Sequence, residues 1–291
     1  MTGERMTGYT RGALRFDVVD GGPADADETV LLLHGFPQTS ASWAPVAERL
    51  HAAGLRTLAP DQRGYSPGAR PSGRAAYRVE HLVDDAAALV TASGAGSVHV
   101  VGHDWGAVVA WALAAHRPEL VRTVTGVSVP HPAAFLSGML RGPQLLHSWY
   151  MGAFQLPWLA EALLDDEARL AAVLRRAGAG ADAARRDAAA LAGAVTGPVN
   201  WYRALPLASP GYTRRPVQRP SLMVWSDGDA FVTRAAVEQN PRFVRAPYRL
   251  EVLPGVSHWI PDEAPDRLAE LVTAHVGAGR AAGSDAPGLG T

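Results

Sequence analysis

The sequence contains no cysteine. Thiol nucleophiles, disulfides and cysteine-ligated zinc are therefore excluded. Lysine is absent as well, and all 27 basic residues are arginine. That removes Schiff-base chemistry, serine–lysine pairs and the lysine of a phosphate-binding loop. An excess of one charge is also missing. The formal net charge is −1, so no broad field recruits nucleic acid or anionic lipid. Long apolar runs are lacking too. The opening MTGERMTGYTRG has no apolar core of a secretory signal. The most apolar stretch, VHVVGHDWGAVVAWALAA at 98–115, is broken by His103-Asp104 and is too short to cross a bilayer. These absences lead us to expect a soluble, cytoplasmic protein with no membrane or nucleic-acid partner. The 291 residues suffice for one large α/β domain carrying an inserted subdomain.

What is present is an alternation of strand and helix patterns. GALRFDVVD (12–20), TVLLL (29–33), LRTLAP (55–60), SVHVV (97–101), VRTVTGVSV (121–129), SLMVWS (221–226) and YRLEVLP (248–254) read as strands. Residues 42–53, 80–93, 105–116 and 261–276 have helical spacing. Strands that are apolar throughout imply a mostly parallel sheet covered on both faces. The alternation stops between about 131 and 215, where the sequence is helical, and then resumes. The expected organisation is a core over 1–130 and 216–276, and a helical lid over 131–215. Residues 1–10 read as a loose lead-in, and 277–291 as a disordered, low-complexity tail. The Ala- and Arg-rich segment at 172–193 reads as a solvated amphipathic helical face, not an anion site.

Chemistry concentrates in the 98–115 stretch. Strand, Gly-x-Asp-x-Gly, helix is the frame of a nucleophile elbow with Asp104 at its apex. The turn is sharp, so the neighbours of the apex must be uncrowded. An ordinary helix N-cap would account for Asp104 alone, but not for its flanking glycines. With such an elbow, the acid and the histidine follow in chain order. VWSDGDAFV offers Asp227 and Asp229, and GVSHWIPDEAP offers His258, each after a strand. Asp229 is favoured because it lies further out on the loop, with Asp227 left as the other candidate. His103 reads as support for the elbow, not as a reacting group. The oxyanion hole needs two main-chain N–H groups. Trp105, next to the nucleophile, and Phe36, in HGFP after the first long strand, are placed to supply them.

Taken together, HGFP, GHDWG, the acid loop and the SHW loop resemble the α/β-hydrolase fold over about residues 12–276. The aspartate nucleophile is similar to that of its epoxide hydrolase and haloalkane dehalogenase branches. SWYMGAFQLP (148–157) and NWYRAL (200–205) resemble the epoxide hydrolase segments that carry the ring-opening tyrosines. That resemblance implies Tyr150 and Tyr202 as proton donors, no cofactor and no metal. It also implies a small apolar epoxide and water as substrates. A homodimer is one option for the oligomeric state, which the sequence does not set.

The carboxylate has its own logic. A serine attacking a saturated carbon would form an ether, which water does not readily cleave. An aspartate forms an ester whose carbonyl belongs to the enzyme, and a histidine can direct water at it. The leaving group separates the branches. An alkoxide is strongly basic and needs an acid such as tyrosine, whereas a halide needs only weak N–H donors. Dehalogenases often carry HGN, and here that third position is Phe36. Fluoroacetate dehalogenases resemble HGFPQ but place arginine after the nucleophile, where this chain has Trp105. An epoxide hydrolase is the expected function. A dehalogenase-type hydrolase and a ligand-binding homologue without turnover are the alternatives.

Overall fold

A computed structural model describes residues 5–284. Among them, one sheet of eight strands runs in the order β1-β2-β4-β3-β5-β6-β7-β8. The strands are β1 (Gly8–Arg11), β2 (Leu14–Gly21), β3 (Thr29–Leu33), β4 (Arg56–Pro60), β5 (Val98–His103), β6 (Val121–Val127), β7 (Ser221–Ser226) and β8 (Tyr248–Leu253). β2 is antiparallel to β1 and to β4, and the remaining pairs are parallel. Flanking helices are α1 (Ala44–Ala52), α2 (Val79–Ala92) and α3 (Trp105–His116). The stretch at 8–10, expected to be a loose lead-in, is part of a strand. Its main chain pairs with β2, and Tyr9 stacks on Phe16 at 4.7 Å.

The apolar runs divide by the period-two rule of strands. In β3, Leu31 and Leu33 join the core on one face, and Val30 and Leu32 join the core on the other. β5 splits in the same way, with Val98 and Val100 against Val101. Truncating any of these buried leucines to alanine would cost about 2–5 kcal/mol. α3 is apolar on every side, and most of its residues are fully buried. Such a helix belongs between two layers. Here it lies against β5 and β6, with insertion residues such as Trp201 and Tyr202 in the same core.

Between β6 and β7 the described residues form helices only. These are α4 (Pro132–Arg141), α5 (Gln144–His147), α6 (Trp149–Ala153), α7 (Leu159–Leu164), α8 (Glu167–Arg176), α9 (Ala181–Leu191), α10 (Thr196–Ala204) and α11 (Pro210–Arg214). α9 is amphipathic, as its composition suggested, but its inward face is not purely apolar. Ala184, Asp187, Ala188 and Leu191 are buried. The inward residues follow the helical repeat, and a charged one sits among them.

After the short α12 (Arg234–Val237), the chain closes with α13 (Ile260–Glu263) and α14 (Pro265–Ser284). Pro265 starts the last helix, as proline does well at the first helical position. α14 runs eight residues beyond the expected end at 276, through part of the supposed tail. Residues 285–291 lie outside the described residues. No helix among the described residues is long and apolar enough to cross a membrane.

Candidate active site

The parallel register brings the carboxyl ends of the central strands together. Leu33 of β3 lies beside Gly102 of β5, and His103 lies beside Val127 of β6. Loops leaving these ends converge above the sheet, as is usual for ligand sites in open α/β sheets. Asp104 follows β5 directly, with φ 53° and ψ −120°. A non-glycine residue in that region costs on the order of 1–3 kcal/mol and needs outside support. Its N–H donates to Val127, and its carbonyl accepts from Ala107 and Val108. The glycines are steric requirements. A Cβ on Gly106 would lie 2.0 Å from the Leu33 carbonyl oxygen, and one on Gly35 would lie 2.4 Å from the Asp104 Cβ.

His258 stands beside the elbow, buried, on the loop after β8. Its Nε2 lies 3.6 Å from Asp104 Oδ2, and its Nδ1 lies 2.8 Å from Asp229 Oδ2. The other Asp229 oxygen accepts the main-chain N–H groups of Phe231 and Val232 at 2.8 and 2.9 Å. Asp229 is thus locked in place with no side-chain exposure. Asp227, the other candidate acid, is exposed and accepts the N–H of Gly255 at 2.6 Å. It closes the turn after β8 and does not touch His258.

The main-chain N–H of Phe36 donates to Asp104 Oδ1 at 2.7 Å. The main-chain N–H of Trp105 also favours the charged carboxylate. Of the two expected N–H groups, that of Phe36 is hydrogen-bonded to one defined oxygen of the aspartate. Burial works against the Asp104 charge, but His258, helped by the Trp105 N–H, outweighs it and holds its pKa below the ordinary 3.8. Burial also works against a charged His258, yet Asp229, followed by Asp104, raises it to about 10. At neutral pH the resting pair is an aspartate facing an imidazolium. His103 contrasts with this. Burial pushes it down to about 4, so it is neutral, and its single ring N–H donates to one of the two oxygens that face its nitrogens, Gln38 Oε1 or the His258 carbonyl.

Tyr150 on α6 and Tyr202 on α10 face each other, with ring centroids 6.0 Å apart. Burial, with the nearby Asp104 charge adding to it, keeps both phenols protonated well beyond the usual tyrosine range. Tyr202 is anchored to the core. Trp201 donates its indole N–H to the Arg63 carbonyl, and Trp105 packs edge-on against Tyr202 at 5.0 Å. The main chains of Gly64 and Gly197 meet so closely that a Cβ on Gly197 would lie 2.7 Å from the Gly64 oxygen. Two cavities of about 510 and 960 Å³ lie on either side of this pair. Asp104, Tyr150, Tyr202 and Phe231 belong to the walls of both. The sequence reading missed Phe231, which packs on His258 at 5.0 Å, and Gln38. Gln38 follows directly on HGFP, and no spacing rule marked it.

The geometry has close counterparts. Residues 28–265 match the model of the alpha/beta hydrolase fold family. The chain is 33% identical to Epoxide hydrolase 3 of Xenopus tropicalis, with 91% of this chain and 76% of that one covered. This chain belongs to the α/β-hydrolase fold family. Other members lie equally near. Epoxide hydrolase 4 of Homo sapiens is 32% identical, over 89% of this α/β-hydrolase and 75% of that protein. The crystal structure of Epoxide Hydrolase A from Mycobacterium thermoresistibile superposes with a TM-score of 0.80 at 26% identity. It covers 92% of this chain and 97% of its own.

Proposed function

We propose that this α/β-hydrolase hydrolyses epoxides to vicinal diols through an ester on Asp104. The observation that carries the reading is the pair of buried, protonated tyrosines in the same cavity walls as the aspartate. Relatives named epoxide hydrolases support it over most of the chain.

The two carboxylate oxygens have different surroundings, and so different work. Oδ1 is held by the Phe36 N–H. Oδ2, on the His258 side, attacks an epoxide carbon, and the carbon–oxygen bond of the ring breaks. A tyrosine gives its proton to the alkoxide. The aspartate has then lost its charge, so one of the two carboxylates that hold the His258 proton is gone. That proton restores the tyrosine, and His258 becomes a neutral base. It takes a proton from water as the water oxygen adds to the Asp104 carbonyl carbon. Negative charge grows on Oδ1, where Phe36 already donates and Trp105 is the second donor of the proposed oxyanion hole. Collapse breaks the bond between the carbonyl carbon and Oδ2, the leaving oxygen takes the remaining proton of the added water, and the diol departs from a regenerated Asp104 carboxylate–imidazolium pair. Asp229 orients the imidazole throughout and stabilises it whenever it is charged.

A halide would need no acid, and Phe36 brings no side-chain N–H where dehalogenases often carry asparagine. The discriminating experiment incubates the enzyme separately with styrene oxide and 1-bromobutane. Diol from the first, with little bromide from the second, supports the reading. Bromide without diol refutes it.

A further inference from the structure

A buried polar cluster joins the insertion to the loop that carries His258. It is absent from the mechanism above. Asp187 on α9 is buried, and its Oδ2 accepts from Gln38 Nε2 at 3.2 Å. The same nitrogen donates to Asp262 Oδ2 at 2.8 Å. Arg186 bridges both carboxylates, each at 2.8 Å. Asp262 belongs to α13, four positions after His258. On the far side of Gln38, Oε1 lies 3.1 Å from His103 Nδ1, and His103 Nε2 lies 2.9 Å from the His258 carbonyl oxygen. Ser128 Oγ donates to that same carbonyl at 2.9 Å. Two further contacts tie this loop to the α8–α9 hairpin. Trp259 donates its indole N–H to the Ala177 carbonyl at 3.0 Å, and a Cβ on Gly178 would lie 3.2 Å from that of Ser257.

Two carboxylates facing one arginine repel each other unless other donors fill their remaining lone pairs. The amide nitrogen of Gln38 does this for both at once. Its oxygen is thereby turned towards His103. A buried network of this kind holds its members in place, and losing Asp187 or Gln38 leaves the remaining donors and acceptors unpaired. The α8 face of the same hairpin lines the larger cavity through Leu170, Val173 and Leu174.

We propose that Asp187 and Gln38 are positioning residues for ester hydrolysis, clamping the His258 loop to the α8–α9 hairpin. The inference rests on the covalent Asp104 reading. Its signature is confined to one step, because His258 directs water only after the ester has formed.

The test mixes excess enzyme rapidly with styrene oxide and follows ester on the Asp104 peptide by mass spectrometry. Asp187→Ala should form ester within about twofold of the wild-type rate. It should hydrolyse ester about 10- to 100-fold more slowly, the scale set by a misplacement of up to about 1 Å. Asp187→Asn keeps an oxygen for Gln38 and should recover most of that loss. Equal slowing of both steps, no slowing, or an Asn variant as impaired as the Ala variant would overturn the clamp. If Asp187→Ala does not fold, the same split is expected, and the same outcomes count against it, in Gln38→Leu. His258→Gln is the control. Ester in His258→Gln, with normal hydrolysis in Asp187→Ala, refutes the clamp alone. Inactive His258→Gln without ester refutes the covalent reading and the clamp with it.

Discussion

Phe36 donates its main-chain N–H to Asp104 Oδ1 at 2.7 Å, while Oδ2 of the same carboxylate lies 3.6 Å from His258 Nε2. In the proposed reaction the first oxygen becomes the oxyanion, and the second is left to attack. If Oδ2 becomes the ester oxygen, it leaves with the product. A single turnover in ¹⁸O-water, with enzyme in excess, should therefore give unlabelled diol and a labelled Asp104 peptide. Label should reach the diol only in later turnovers. Label in the first diol would mean that water attacks the epoxide directly.

The two acids separate by contact. Asp229 reaches His258 at 2.8 Å, and Asp227 holds only the turn at Gly255. Asp229→Asn should lower steady-state diol formation by at least ~10²-fold, the scale of a misdirected acid–base group. Asp227→Asn should stay within about threefold and change stability little, since asparagine keeps an oxygen for the Gly255 N–H. The reverse ranking in a steady-state assay would mean that the acid is misassigned.

Much of this arrangement can be read from residue order, because parallel strands carry their own punctuation. An apolar run followed by a polar or glycine-rich loop marks a carboxyl end, and GHDWG, SDGDAF and GVSHW all sit at such ends. The choice between Asp227 and Asp229 could not be settled this way, since it depends on which loop oxygen faces β8. β1 was missed because GYTR is too short to show alternation. The extension of α14 was missed because AGRAAGS mixes glycine, which disfavours helix, with alanine, which favours it. Asp187 was the least legible. An aspartate in an Ala/Arg helix looks solvated, and the partner that permits its burial, Gln38, is 149 positions away.

Stability should carry the mark of the resting ion pair. The folded pKa of His258, about 10, exceeds its ordinary 6.5, so the folded state holds a proton that the unfolded chain releases. The stabilisation is fully present below about pH 6.5 and is lost as pH rises towards 10. The melting temperature of the wild type should fall across that window. His258→Gln should show a flatter profile there, because glutamine cannot titrate. Buried neutral histidines such as His103 and His131 act only below this range, and tyrosines only above it. Parallel profiles for the two proteins in calorimetry would show that His258 is not charged at rest.

The tyrosines decide between chemistries. Each phenol is kept protonated by burial and by the Asp104 charge, so each can donate to an alkoxide at any ordinary pH. With two donors 6.0 Å apart, the loss of one hydroxyl leaves the other, and each single Phe variant should keep partial activity. Tyr202→Phe should be the cleaner of the two, since the Gly64–Gly197 contact and the Trp201 bond hold α10 in place without the hydroxyl. The double variant Tyr150→Phe, Tyr202→Phe removes both acids and keeps the aromatic volume. Epoxide turnover should fall by at least ~10²-fold, the usual worth of a positioned acid. Ester formation on Asp104 should slow in parallel, because the acid acts before the ester exists. Melting temperature should change little. A double variant that opens styrene oxide at the wild-type rate would assign the tyrosines to packing alone, and the proton would have to come from His258.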